Sequence, residues 1–386
     1  MHILVTNDDG PPSPASSPYV LTLVRTLQAA GHTVSVVLPH TQRSWIGKAH
    51  IVGQAIKPTY YRPRTGTTHE RPLKSGGGGK GAGRSGAMGG DGRAVNGDSI
   101  TNGVVSAAQG VSTGAASTSA SEDEEEWVLI DSTPASCVQI GLHHFFASRG
   151  PVALVLSGPN YGRNTTALFA LSSGTLGGAL EGAVCGVPAI ALSYAFFDRN
   201  HDADIIAEAS RLSVRVADWL VRHWGEGVGL YSVNVPLVRG VEGRKVCWTR
   251  VLQNAWTGGS CFEEVAVEGE SVEDEEGEGP QEREADIRRE ESRGQQQHQH
   301  QQQQQQQQRA GVEASGAGPT NRGQSTHARH THKHFKWAPR FKDVYDSVEN
   351  SGPGNDGWAV KEGFTSVTAL RANFMHAEGF EGELKL

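Results

Sequence analysis

The chain has 386 residues, with 35 Lys and Arg against 42 Asp and Glu and a formal net charge of −7, and it shows no basic face of the kind that nucleic-acid binding needs. No apolar run reaches membrane-spanning length, and HILVT at residues 2–6 reads as a buried strand rather than a leader, so a soluble, cytoplasmic protein without a membrane partner is expected.

In chain order, HILVT is the first strand. Ser17-Pro18 supplies a helix N-cap and first helical residue, YVLTLVRTLQAA carries an apolar face at helical spacing, and Gly31 closes it. TVSVVL at 33–38 is the second strand. From about 63 to 126 the text turns Gly- and Ser-rich and ends in the acidic run EDEEE. Too little of it is apolar to offset the entropy of ordering, so a disordered insertion is expected. WVLI at 127–130 resumes the strands, and Thr133-Pro134 opens a helix through CVQIGLHHFF. VALVL (152–156) and PAIALS (188–193) are buried strands separated by a Gly-rich helix from about Ser173 to Cys185, and an amphipathic helix runs from about Asp204 to Trp224. A second disordered insertion is expected from about 262 to 336, with an acidic block, a glutamine tract and the His-rich HARHTHKH. YSVNVP, KVCWTRV and FTSVTAL are strand-like segments separated by turns, which suggests a C-terminal hairpin extension.

Removing the two spans leaves about 247 residues, one domain of ordinary size running from 1 to 386 with two interruptions. Strands alternating with helices predict an α/β fold with a Rossmann-like parallel sheet flanked by helices. The four cysteines (Cys137, Cys185, Cys247 and Cys261) have neither C-x-x-C nor zinc spacing and read as idle thiols.

Three polar loops leave strand ends on one side of such a sheet: Asn7-Asp8-Asp9-Gly10, Pro39 to Ser44, and Ser157 to Asn164. Adjacent carboxylates in a confined site ionise together only when something compensates their charge. A hard divalent cation such as Mg²⁺ or Mn²⁺ does so, with carboxylate, hydroxyl and amide oxygens as its preferred ligands. The competing reading makes Asp8 and Asp9 an Asx-turn ahead of the helix.

ILVTNDDG, PHTQRSWIG, DSTPASCV, LVLSGPNYGRN, SSGTLGGALEG, SVNVP and WAVKEGFTSVTAL, in this order, resemble the motif set of the SurE family of phosphatases and nucleotidases. NDDGPPSP with LPHTQRSWIGKAH is similar to its fungal branch, and the HAPG wording common in bacterial members is absent. The resemblance implies a SurE-like fold and a metal held by Asp8, Asp9, Ser44 and Asn160. It also implies a phosphate pocket shaped by Asn164 and by Ser173, Gly174 and Thr175, where a helix start offers N–H groups to an anion.

The activity implied is metal-assisted hydrolysis of nucleoside 5′- or 3′-monophosphates, with Asp8 or Asp9 orienting or deprotonating the attacking water. A homodimer or larger homo-oligomer is implied as well. Arg43 and Lys48 are candidate phosphate contacts, and His40 is an open proton-donor candidate. The alternatives are an exopolyphosphatase or general phosphatase on the same site, and a non-catalytic scaffold acting through its low-complexity insertions.

Overall fold

The computed structural model describes residues 1–73, 125–197, 201–265 and 333–374. Its centre is a sheet of ten strands in the order β4-β3-β5-β2-β1-β6-β7-β8-β12-β9. These are β1 (His2–Thr6), β2 (Thr33–Pro39), β3 (Thr59–Arg62), β4 (Thr67–His69), β5 (Trp127–Ile130), β6 (Leu154–Tyr161), β7 (Ala189–Ala195), β8 (Leu230–Pro236), β9 (Val246–Trp248) and β12 (Thr365–Leu370). The run from β5 through β2, β1, β6 and β7 to β8 is parallel. β3 and β4 turn back antiparallel at one end, and β12 runs antiparallel to β8 at the other. The expected C-terminal extension therefore continues the main sheet. An antiparallel pair of β10 (Phe262–Val265) and β11 (His334–Trp337) stands apart from it.

The helices lie on both faces, as near-continuous apolar strands require. Successive β1 side chains alternate, so Ile3 and Val5 enter one core with α1 (Val20–Ala29) and α5 (Ala203–Arg222). Leu4 enters the other with α2 (Pro134–His144) and α4 (Gly174–Val184). α2 begins as its sequence predicts, with Thr133 Oγ1 accepting the Ser136 N–H and Pro134 in the first turn. α1 does not. Its N-cap is Tyr19, without a side-chain bond, because the Ser17 hydroxyl donates to Gly10 O and accepts from Asn7 Nδ2.

Three short helices complete the fold: α3 (Thr166–Ser172), α6 (Phe341–Glu349) and α7 (Asp356–Lys361). Among the described residues no single helix is long and apolar enough to cross a membrane. α3 and α4 together pass that test only as a pair bent by 68°.

Described residues enter both expected insertions. At the first, the β3–β4 hairpin reaches His69, and the Leu73 N–H donates to both Glu126 carboxylate oxygens at 3.1 and 3.2 Å. At the second, β10 and β11 pair Phe262 with Trp337 and Val265 with His334. These margins are ordered because backbone partners are at hand, which composition alone does not register. The glutamine tract, the EDE of the first acidic run and all of HARHTHKH except Lys333 and His334 lie outside the described residues.

Candidate functional site

β1 goes to β2 on one side, and the chain later crosses to place β6 on its other side, so the strand order reverses at β1. Such a reversal opens a crevice beyond the strand ends. Asp8 and Asp9 follow β1 directly and are 3% and 1% exposed. The turn itself belongs to Asn7, whose side chain donates to Gly10 O and accepts the Gly10 N–H at 3.0 and 2.9 Å. The Asx geometry that competed for the two aspartates is thus supplied by their neighbour.

Asp9 is gripped through both oxygens, by the Tyr161 N–H at 2.6 Å and by Gln42 Nε2 at 3.1 Å. Asp8 Oδ1 accepts the Thr175 hydroxyl at 2.6 Å. The start of α4 comes so close to Asp8 that a Cβ on Gly174 would sit 2.8 Å from the Asp8 Cβ and 2.9 Å from its Oδ2. Only glycine fits there without displacing the carboxylate. Ser44 is carried by a loop fixed at both ends, with the Arg43 N–H on Asp8 O at 2.7 Å and the Gly47 N–H on Ser172 O at 2.9 Å.

Asn160 was expected on a loop and lies instead at the penultimate position of β6, which runs on to Tyr161. The register with β7 shifts between Ser157 and Asn160, so β6 carries one more residue than its partner there. A bulge of this kind re-aims the next side chain. The Asn160 amide nitrogen donates to Gly162 O at 2.8 Å, which leaves its carboxamide oxygen as the atom suited to a cation.

Asn164 fastens its loop to two strands, its N–H on Asn234 Oδ1 at 2.8 Å and its Nδ2 on Ser193 Oγ at 2.9 Å. Asn234 Nδ2 and Ser157 Oγ are buried nearby without a hydrogen-bond partner among the described residues. Ser173 caps α4 by accepting the Leu176 N–H, so its hydroxyl serves the helix.

Arg43 and Lys48 are committed elsewhere, to Asp131 at 2.5 Å and to the buried Glu181 at 2.6 Å. Burial of Glu181 opposes its charge, but hydrogen bonds from Lys48 and Gln139 outweigh it and hold the carboxyl below its usual value. His40 is exposed at the end of β2.

Sequence reading missed Gln42 and Asp356. Asp356 is buried at the start of α7 and accepts the backbone N–H groups of Leu252, Thr166 and Gly357 at 2.8–2.9 Å. It ties the segment that follows Asn164 to the C-terminal strands. Thr166 is held there at a φ of 71°, rare for a β-branched residue. Burial raises the Asp356 pKa, against the lowering effect of these donors. An isolated Asp in NDGWAV gives little sign of this, since its partners are 104 and 190 residues away.

Among the described residues no cluster of three or more His, Cys, Asp or Glu side chains could hold a metal. The candidate donors are of another type, two carboxylates with an amide and a hydroxyl oxygen, and a set of this chemistry fits a hard divalent cation.

A family model described as survival protein SurE matches residues 3–258. A probable tubulin–tyrosine ligase, PBY1 of Saccharomyces cerevisiae, is 34% identical over 265 residues, 66% of this chain and 31% of that protein. The 5′-nucleotidase SurE of Roseobacter denitrificans is 42% identical over 117 residues, 29% of this chain and 44% of that protein. The chain thus spans less than half the length of either relative. The crystal structure of the SurE protein from Aquifex aeolicus superposes with a TM-score of 0.52 over 97% of this chain and 95% of that one. At 18% identity this likeness speaks for the fold alone.

Proposed function

Because the chain belongs to the SurE family, as the match over residues 3–258 shows, we propose that it is a divalent-metal-dependent phosphomonoesterase acting on nucleoside monophosphates. The observation that carries this reading is the pair of buried carboxylates, Asp8 and Asp9, at the strand-order reversal, fixed by Thr175, Tyr161 and Gln42. Asp8, Asp9, Ser44 and Asn160 would hold Mg²⁺ or Mn²⁺. When bound, such a cation supplies a clamp on a phosphate oxygen and acidity for an attacking water.

The remaining work falls to the chain. The Tyr161 N–H and Gln42 fix the plane of the Asp9 carboxylate, and Thr175 fixes that of Asp8, so either is poised to orient a water and accept its proton. The start of α4, with Gly174 against Asp8, offers N–H groups and a positive dipole end to the phosphate. Asn164 shapes the far side of that pocket through Ser193 and Asn234. The four free cysteines support a reducing compartment, and we take the cytoplasm as its location.

The test is phosphate release by the purified chain from a panel of nucleoside monophosphates, p-nitrophenyl phosphate and short polyphosphate, after dialysis against chelator and with each metal restored. Release that needs Mg²⁺ or Mn²⁺ and favours nucleotides supports the proposal. No release under any of these conditions would sink it and leave the scaffold reading.

We also propose that residues 1–386 form one domain that assembles as a symmetric oligomer. The exposed edge strand β9, with Val246 45% and Trp248 58% exposed, supports an assembled state. A chain lacking residues 74–124 and 266–332 should fold, keep most of its metal-dependent activity and give the same oligomer mass by light scattering. A soluble but inactive trimmed chain, or a monomer at micromolar concentration, contradicts this.

A further inference from the structure

The two loops that carry candidate ligands share a second property. Ser44 is followed by Trp45, whose φ of 59° is a left-handed conformation that a bulky residue keeps only when its surroundings hold it. Those surroundings are aromatic, with Phe169, Phe341 and Trp337 at 5.7, 5.9 and 5.6 Å between ring centroids. Asn164 is preceded by Arg163, whose guanidinium carbon lies 4.7 Å from the centroid of the Tyr345 ring. Phe341 and Tyr345 are four residues apart on α6 and so share one face. Each loop therefore turns the residue beside a candidate site residue, Ser44 or Asn164, toward the same wall of rings.

The inner part of that wall is a small core, with Phe169, Phe341 and Tyr345 each 5% exposed. The outer part is open. Trp45 and Trp337 are half-buried, and Phe262, 5.2 Å from Trp337, is 53% exposed. A plain core accounts for the inner rings and leaves two half-exposed indoles at the edge of a polar crevice unexplained. Arg163 Nε and Nη2 also lack a hydrogen-bond partner among the described residues, a cost that an anionic oxygen of a ligand would relieve.

We infer that this wall is the subsite for the leaving group of the phosphomonoester, and that the group it takes is a flat aromatic base, purine before pyrimidine. The inference rests on the phosphomonoesterase reading of the Asp8–Asp9 site. Every nucleobase offers a π-face to a half-exposed indole, a purine offers the larger one, and a glycerol or ribose offers none. Phosphate held by the loops of Ser44 and Asn164 would place the rest of a nucleotide within reach of Trp45 and Trp337, because these rings belong to or touch the same loops.

The full chain is assayed with AMP and with glycerol 2-phosphate in wild type, Trp337→Ala and Trp337→Phe. The ratio of kcat/KM for AMP to that for glycerol 2-phosphate should fall about tenfold in Trp337→Ala, mainly through KM for AMP, and largely recover in Trp337→Phe, which keeps a ring. An unchanged ratio overturns the inference, and so does an equal loss on both substrates. Saturation-transfer NMR on the wild-type protein with adenosine supplies a readout free of hydrolysis and of any folding defect in the variant. Transfer to the base protons supports the subsite, and its absence overturns it. Base transfer without hydrolysis of any phosphomonoester would leave the ring site standing and remove the phosphatase reading.

Discussion

Asp8→Asn should lower turnover about a hundredfold or more while the protein stays folded. The change is nearly isosteric, and the Thr175 hydroxyl retains an oxygen to donate to. What disappears is one of two adjacent buried charges, and with it affinity for a cation and the field that stabilises a phosphoryl group in flight. Chelation of the wild type should give a similar loss, reversed by Mg²⁺ or Mn²⁺. Circular dichroism and a thermal melt establish that the variant is folded, and phosphate release measures the effect. Activity that survives both the substitution and exhaustive chelation would point to a metal-free covalent route and withdraw Asp8 from the site.

The second large effect is expected at a residue that touches no substrate. Gly158 has a φ of 127°, in a region open essentially to glycine, and a Cβ there would be driven into the Leu192 carbonyl oxygen of β7. Gly158→Ala should therefore cost about 3–5 kcal/mol, combining backbone strain with a clash against main chain that has little room to yield. For a domain of this size that corresponds to a fall of roughly 10 °C in melting temperature. Activity should fall further than stability requires, because the bulge at Gly158 sets the course of Asn160 and brings the Tyr161 N–H to Asp9. A variant that melts within about 2 °C of wild type with unaltered kinetics would contradict this account.

The parts of the site that were legible in the sequence are those in which the decisive partners are close along the chain. Asp8 and Asp9 follow an apolar run that makes a buried strand, and Ser173 precedes a helix that it caps. Asn160 was expected on a loop and lies in a strand. Ser-Gly-Pro reads as a turn, whereas β7 extends alongside and captures it as a bulged strand. Ser17 failed as a helix cap for a related reason, since Gly10 and Asn7 compete for its hydroxyl.

α6 had the pattern to be seen, with Phe341, Val344, Tyr345 and Val348 at helical spacing and all buried. It went unread because it begins just beyond a span of low-complexity text. Asp356 and the ring wall rest on contacts between distant segments, to which no local pattern responds.

The clasps at the roots of the two long interruptions have a consequence for how the protein tolerates change. Leu73 is held to Glu126, and Val265 is paired with His334, so each interruption leaves and rejoins the core at neighbouring points. Between anchors already held together, loop closure sets only a small cost on added length, about 0.6 kcal/mol for each doubling. A single residue added between Ser157 and Asn160, by contrast, would shift the register of β6 against β7 and should not be tolerated.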